Sequence, residues 1–315
     1  MQLYNNYSTY LKEKYNEKVY KIPINILCSC PNRDGTISEG GCIFCGENGV
    51  GYENLPSSMN PKEQYDTNKK YISNKYKAKK FIPYFQNYSN TFLNIELFKN
   101  YILQVCDIDA VGVAISTRPD CITCEHLKFL SFVKEKFNID IIIELGLQTP
   151  NYHTLEKINR GHTLAEFIDG VLMIKKYEFE ICAHVILNLP WDNIVDVIES
   201  AKIISSLNID SVKSHALYIE KNTKLADLYI KKEIQLIELD EYIERVIIFL
   251  EYLDPKITIQ RLIGRAPKEN TLFVNWNRSW WKIKDMIECQ MASNESYQGK
   301  SFNYLGGKAF RYKYL

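Results

Sequence analysis

A chain of 315 residues, 46% hydrophobic and 24% charged, has the material for one large α/β domain with an appendage, or for two medium domains. Its net charge of +1 excludes a globally basic nucleic-acid binder, so any polyanion would have to meet a local patch. No apolar run approaches the roughly 18–20 residues of a membrane span, and the N-terminus lacks the apolar stretch and cleavage site of a secretory leader, so a cytoplasmic chain with no membrane attachment is expected.

In chain order, a strand-like segment over 18–27 breaks at a loop rich in Gly, Pro and Cys, 28–51. Lysine-rich helical sequence follows over 61–76, then an apolar run at 81–85 leading into the polar loop 86–90. An amphipathic helix at 95–106 precedes a strand at 110–115 and the loop 116–120. The pattern repeats with a helix at 123–137, a strand at 139–145, helices within 151–177, a strand at 181–187, a helix at 192–207 and a strand at 211–218. The strands are continuous apolar runs, as in parallel sheets buried on both faces. About six strand-then-helix units are too few for an eight-fold barrel, so the expectation is an α/β fold, a partial (β/α)6 TIM-like barrel. Pro255 and the strand-like run 256–262 suggest a change of role, giving a barrel domain over 1–253 and a C-terminal extension over 254–315 that packs on it.

The unusual polar residues stand just after strands: Cys30 after the first, Gln86 to Asn90 after the second, Arg118 after the third. Gln148 follows the fourth, Asn188 the fifth, and His215 ends the sixth. The carboxyl ends of the strands form the ligand-binding face in barrels and open α/β sheets, so these residues are expected to share one side.

The nine cysteines are odd in number and clustered, which favours metal or cluster ligation over a disulfide framework. Cys30 is followed after eleven residues by Cys42, and Cys45 comes two residues later. Three thiolates can hold three irons of a [4Fe–4S] cluster and leave the fourth open to a cofactor. The rival reading is structural zinc on Cys28, Cys30, Cys42 and Cys45, since zinc sites also use this spacing; a closed zinc site leaves the other polar loops unexplained.

The run CPNRDGTISEGGCIFC resembles the cluster loop of the YhcC/YtqA-like radical S-adenosylmethionine (SAM) proteins, which are related to the catalytic subunit of Elongator. The blocks YFQNYSNTF, GVAISTRPDC, ELGLQTPNYHTLEKINRGHT, AHVILNLP, KSHALYIEKNTKLA, IQRLIGRAP and QGKSF resemble that family in order, over roughly residues 15–302. The resemblance implies a [4Fe–4S] cluster on Cys30, Cys42 and Cys45, and cleavage of SAM to methionine and a 5′-deoxyadenosyl radical. It implies that Phe44 packs on the adenine, that Gln86 meets the methionine amino end, and that Gln148 and Arg160 hold the ribose and carboxylate. Arg118 is a second candidate for the carboxylate, because a guanidinium pairs with it bidentately. Glu144 and His184 are further candidates for SAM contact. Two departures stand out. Asn188-Leu189-Pro190-Trp191 replaces Gly-Leu-Pro-Gly and is expected to narrow the space near the adenine or substrate, and Arg265 replaces an acid.

For catalysis toward substrate, His215 and Lys221 near the sixth strand end are the candidates. Cys121 and Cys124 form a second C-x-x-C, read chiefly as free thiol at a loop–helix junction. His162 could cap a helix or face the pocket. The lysines between residues 69 and 80 read either as a solvated helix face or as a phosphate-contacting patch. The segment from Trp276 to Lys284 either packs on the barrel or stacks bases. Kinship to Elongator implies a transfer RNA substrate, modified at the 5-substituent of a wobble uridine, with a flavodoxin- or ferredoxin-type electron donor. A radical SAM enzyme acting on a small metabolite or peptide, and a zinc-stabilised RNA-binding module without catalysis, are the alternatives.

Overall fold

The computed structural model describes residues 2–46, 54–106, 109–264 and 269–313. Arg265 and the end of the cysteine loop from residue 47 lie outside the described residues.

The chain opens with helix α1 (Tyr7–Tyr15) and strand β1 (Val19–Ile24), then the cysteine loop. There follow α2 (Pro61–Tyr76), β2 (Lys80–Phe85), α3 (Ile95–Leu103), β3 (Gly112–Thr117), α4 (Cys124–Phe137) and β4 (Asp140–Gln148). Helices α5 (Tyr152–Lys157) and α6 (Leu164–Lys175) lead to β5 (Glu180–Ile186), and α7 (Ile194–Ser206) to β6 (Ser211–His215). A short strand β7 (Ile219–Glu220), α8 (Lys224–Ile230) and α9 (Leu239–Tyr252) precede β8 (Thr258–Arg261). The chain then forms β9 (Thr271–Phe273), α10 (Trp280–Ser293) and α11 (Lys308–Lys313). Strands β1 to β6 and β8 pair in sequential order, all parallel, in one sheet of seven that curls into part of a barrel. Strands β7 and β9 form a separate antiparallel ribbon. Among the described residues no helix is long and apolar enough to cross a membrane.

The seventh strand comes from the segment expected to begin the C-terminal extension. Ile257 and Ile259 bury on the same core as Leu253, and β8 pairs with β6. The strand-like run expected over 256–262 is this strand, Thr258–Arg261.

Alternation along each strand sorts the core. One side chain of each pair, such as Ile22, Phe81, Ile115, Ile143, Val185 and Val212, packs outward in the main core. The other set faces inward. At the amino ends of the strands α1 closes the barrel, with Tyr7 and Leu11 packed on Ile82, Tyr84, Ala114 and Ile142. Helix α1 touches both edge strands, β1 and β8, and Ile259 donates its amide to Asn5 O at 2.7 Å. Beside this plug, Lys14 bridges Asp140 at 2.8 Å and also pairs with Glu180, while Tyr10 and Tyr15 donate to the same two carboxylates. The inward face thus mixes apolar and charged groups where the sequence suggested uniform apolar runs.

Candidate active site

At the carboxyl ends of the strands lies a cavity of about 610 Å³, bordered by Cys30, Cys42, Cys45 and Phe44 and by residues from the ends of β2 to β6 and β8. Among the expected residues, Gln86, Arg118, Glu144, Gln148, Arg160, His184 and His215 all border it. Lys221 does not: after His215 the chain turns into β7, which pairs with β9 and carries Lys221 out to solvent.

The cysteine loop owes its shape to turns and to a clamp. Arg33 donates its amide to Cys30 O at 2.8 Å, Gly41 to Asn32 O at 2.7 Å, and Cys45 to Cys42 O at 2.9 Å. Asn159 grips the loop from outside, donating to Ser38 Oγ and Gly41 O, both at 2.9 Å. Gly161, at φ +76°, lets the chain pass against it: a Cβ there would stand 2.3 Å from Asn32 Oδ1. The thiols carry N–H donors. Arg33 Nη1 lies 3.6 Å from Cys45 Sγ, and Asn32 Nδ2 and Arg160 Nη1 each lie 3.7 Å from Cys42 Sγ. Burial, with Cys42 and Cys30 close by, pushes the Cys45 thiol up to about 11 against the pull of Arg33. Cys28 is turned away, its thiol donating to Asn87 O at 3.5 Å and Asn90 Oδ1 at 3.8 Å, and it does not border the cavity. A donor set of three thiols on one cavity, with the fourth cysteine engaged elsewhere, fits a cluster with one open iron rather than a closed four-cysteine zinc site.

The β4 side of the mouth gathers amides and guanidinium groups. Gly146 and Gln148 flank a bulge in the β4–β5 pairing, and Gln148 adopts φ +69°, a conformation costly for a residue with a side chain and found where a site constrains the chain. Arg160 Nη2 donates to Gly146 O at 3.0 Å and its Nε to His162 at 2.8 Å. Burial and the guanidinium groups of Arg160 and Arg118 bring His162 down to about 3, so the ring is a neutral acceptor that positions Arg160 and does not itself border the cavity. Arg118 presents its fork to Asp120 at 2.9 and 2.7 Å and donates to Arg160 O at 2.6 Å. Phe44 borders the cavity and packs against the apolar cluster that includes Ile43, Leu155 and Leu189. The narrowing expected from Asn188 and Trp191 is absent, because neither borders the cavity: Asn188 Oδ1 accepts from Leu217 N at 2.7 Å, and Trp191 packs in the adjoining apolar cluster.

Deeper in the barrel the strands supply a connected polar floor. The hydrogen bonds run in one direction: Arg261 donates to His215 Nδ1 at 2.7 Å, His215 Nε2 meets His184 Nδ1 at 3.3 Å, and His184 Nε2 meets Glu144 at 2.7 Å. Lys21 and Lys213 pair with the two oxygens of Glu144. Lys213 also donates to Tyr84 Oη at 3.1 Å, which lies 2.8 Å from Ser116 Oγ. Burial alone would raise the Glu144 carboxyl, but Lys21, Lys213 and His184 hold it well below the usual carboxylate range. Burial takes Lys213 down to about 8 despite Glu144, and burial with Lys213 takes His184 to about 4. Glu144, Cys182 and His184 bring ligand atoms together, but two lysines already occupy the carboxylate, so the group is an ion-pair network. Cys121 is buried and Cys124 exposed, with Cys121 Sγ 3.8 Å from Asp120 and Cys124 Sγ 3.7 Å from Met173 Sδ. Tyr84, Ser116, Lys213, Arg261, Arg33 and Asn32 escaped the sequence reading. For Tyr84, Ser116, Lys213 and Arg261 the available signal was a polar residue within the last three positions of a strand; Arg33 and Asn32 lie in the cysteine loop.

The fold and this site define a class. The sequence model of the Radical SAM superfamily matches residues 25–204, and that of the Radical_SAM C-terminal domain residues 209–293. The chain belongs to the radical SAM superfamily, whose enzymes use a [4Fe–4S] cluster and SAM.

It is similar to MJ0486 of Methanocaldococcus jannaschii (34% identity, covering 95% of this chain and 92% of the relative) and to YtqA of Bacillus subtilis (31%, 96% and 94%). YhcC of Escherichia coli is 28% identical over 93% of each. Among solved structures, the archaeal Methanocaldococcus infernus Elp3 with residues 1–46 deleted shares the fold at TM-score 0.68 and 15% identity, covering 89% of this chain, which spans 64% of that one. Methylornithine synthase (PylB) shares it at TM-score 0.55 and 13% identity, over 96% of this chain and 88% of that one.

Proposed function

We propose that this radical SAM enzyme holds its [4Fe–4S] cluster on Cys30, Cys42 and Cys45 and acts on a small polar molecule taken into the barrel. The observation that carries the reading is a cavity bordered both by the three thiols at its mouth and by Tyr84, Lys213, His215 and Arg261 deeper in. Bound there, the cluster and SAM would supply one-electron chemistry, generating a radical able to abstract hydrogen from substrate.

The chain's own residues then have separate tasks. Arg33, Asn32 and Arg160 direct N–H groups at the cysteine sulfurs, which sets cluster electronics and position. Phe44 offers an apolar face for the adenine. Gln86, Gln148 and Arg160 present polar groups for the amino, ribose and carboxylate portions, while Arg118, held by Asp120, braces Arg160 through its carbonyl. Glu144 keeps its charge and His184 stays neutral at physiological pH, while Lys213, brought down to about 8, is the floor group closest to exchanging a proton there. Reduction requires a flavodoxin- or ferredoxin-type donor.

Transfer RNA modified at a wobble uridine is the second reading. Trp280 and Trp281 favour it: they are exposed at 40% and 57% beside Lys282, as stacking platforms are. The lysine stretch contributes less, since Lys69 pairs with Asp109 at 2.7 Å and Lys79 with Glu17 at 2.9 Å.

Anaerobic iron and sulfide analysis with a SAM-cleavage assay tests the main reading. Wild type should carry about four irons per chain and release 5′-deoxyadenosine, and the Cys30→Ala/Cys42→Ala/Cys45→Ala variant should do neither. Colourless protein with one zinc would overturn it. Binding of tRNA that falls steeply with salt, with altered wobble nucleosides in a deletion strain, would move the substrate to the second reading.

A further inference from the structure

We propose that the inner floor of the cavity is an oxyanion site, in which Arg261, flanked by His215 and Lys213, receives a carboxylate or phosphate group of the substrate. The inference rests on reading this cavity as the substrate site, and narrows its occupant to an anion.

Charge balance leads to it. The floor holds three cationic side chains, Lys21, Lys213 and Arg261, around Glu144, while the other carboxylate bordering the cavity, Glu269, is exposed. Both oxygens of Glu144 are taken, one by Lys21 and the other by Lys213 and His184. Arg261, half-buried, therefore has no carboxylate partner among the described residues. Its one donated hydrogen-bond system goes to the neutral ring of His215, and its Nε is buried with no partner. A guanidinium with a buried, unsatisfied N–H and no counter-charge costs the fold free energy. Its guanidinium nevertheless borders the cavity. An incoming oxyanion would supply the missing charge and accept from the terminal nitrogens of the guanidinium, Nε being closed off from the cavity.

The surroundings suit that role. Gly264 leaves the guanidinium room, since a Cβ at that position would stand 3.3 Å from Arg261 Cζ and Nη2. Burial and the neighbouring Arg261 keep His215 deprotonated at Nδ1, well below the ordinary range, so His215 orients Arg261 without competing for the anion. Lys213 adds charge from the next strand of the sheet.

The test uses full-length, cluster-reconstituted protein and two probes, inorganic phosphate and succinate, against chloride at matched ionic strength. Thermal midpoint and titration calorimetry report anion binding, and equilibrium dialysis reports SAM binding on the same samples. Wild type should be stabilised by at least one probe beyond chloride. Arg261→Gln should weaken that binding more than about tenfold while SAM binding stays within about twofold. Arg261→Lys, which keeps the charge, should recover part of it and shows that loss in the Gln variant is not misfolding. Preference for succinate identifies a carboxylate substrate, and preference for phosphate a phosphorylated one. The proposal fails if wild type responds to neither probe beyond chloride, or if Arg261→Gln binds them unchanged. It also fails if anion and SAM binding fall together, which would assign Arg261 to the SAM carboxylate. None of these outcomes alters iron content or SAM cleavage by wild type, so the proposed function is judged separately.

Discussion

Gly146 shows how a missing side chain shapes this site. A Cβ there would lie 2.5 Å from Arg160 Nη2 and 2.8 Å from Gln148 Nε2, so both groups reach the cavity only across a bare backbone. Gly146→Ala should displace them and weaken SAM binding more than about tenfold, while the melting temperature moves little because flexible side-chain ends can shift; equal SAM affinity in dialysis would refute the placement. Asp192 gives a second prediction. Burial raises its carboxyl to about 6, against the hydrogen bond that Thr154 donates at 2.6 Å. The folded state thus holds this proton to higher pH than the unfolded chain, whose value is near 3.8. Its contribution is greatest below pH 3.8 and is lost as pH rises through 6. Asp192→Asn, which still accepts from Thr154, should raise stability at pH 7.5 by up to about 3 kcal/mol and leave it nearly unchanged at pH 3.5. Denaturant melts at the two pH values decide it.

The residues at the mouth were legible because their chemistry is local: three thiols at a spacing that one metal centre can use. The floor was not, because a lone Lys213 or Tyr84 in an apolar strand acquires meaning only once the sheet curls and the inward faces of its strands meet. Lys221 looked as close to the site as His215, and only the turn into β7 separates them.

At the scale of elements, asparagine acts as punctuation. The abundance of this residue reads as compositional bias, yet Asn6, Asn60, Asn94, Asn151 and Asn193 cap the N-termini of α1, α2, α3, α5 and α7. Asn16 and Asn138 take the left-handed conformation after α1 and α4, which asparagine tolerates better than most residues. The strand–helix alternation was readable from such periodicity. The place of α1 was not, since a short amphipathic helix before the first strand carries no sign that it will enter a barrel. Lys14 on that helix is less than a third exposed and answers two carboxylates, Asp140 and Glu180. Lys14→Met should cost about 2 kcal/mol at low ionic strength, and less in high salt, which screens these partly exposed ion pairs. A loss that is independent of salt would show that packing, not charge, holds the plug.

For the whole molecule, the two chain ends meet at one glutamine. Gln298 accepts from Asn5 N at 2.9 Å and donates to Asp254 O at 2.7 Å and Ile257 O at 2.8 Å. It joins the segment before α1, the turn before β8 and the tail, which explains why the QGKSF block can sit far along the chain yet belong to the barrel. Gln298→Ala leaves three backbone groups, one of them buried, without that partner, and should destabilise the protein by about 2 kcal/mol. Faster hydrogen exchange at β8 should accompany the loss; unchanged exchange there would confine the effect to the tail.

The plug formed by α1 has a kinetic consequence. Among the described residues α1 covers the base of the barrel and the cavity is bordered at its other end by the cysteine loop, so we take that end as the way in. Whichever small molecule reaches the floor first is covered by the second to arrive, so arrivals and departures queue in opposite order. Substrate loaded before SAM should leave last, and a spent nucleoside at the neck should trap the product beneath it. Substrate loaded first should therefore dissociate more slowly when 5′-deoxyadenosine is bound above it, whereas two separate doors would leave that rate unchanged.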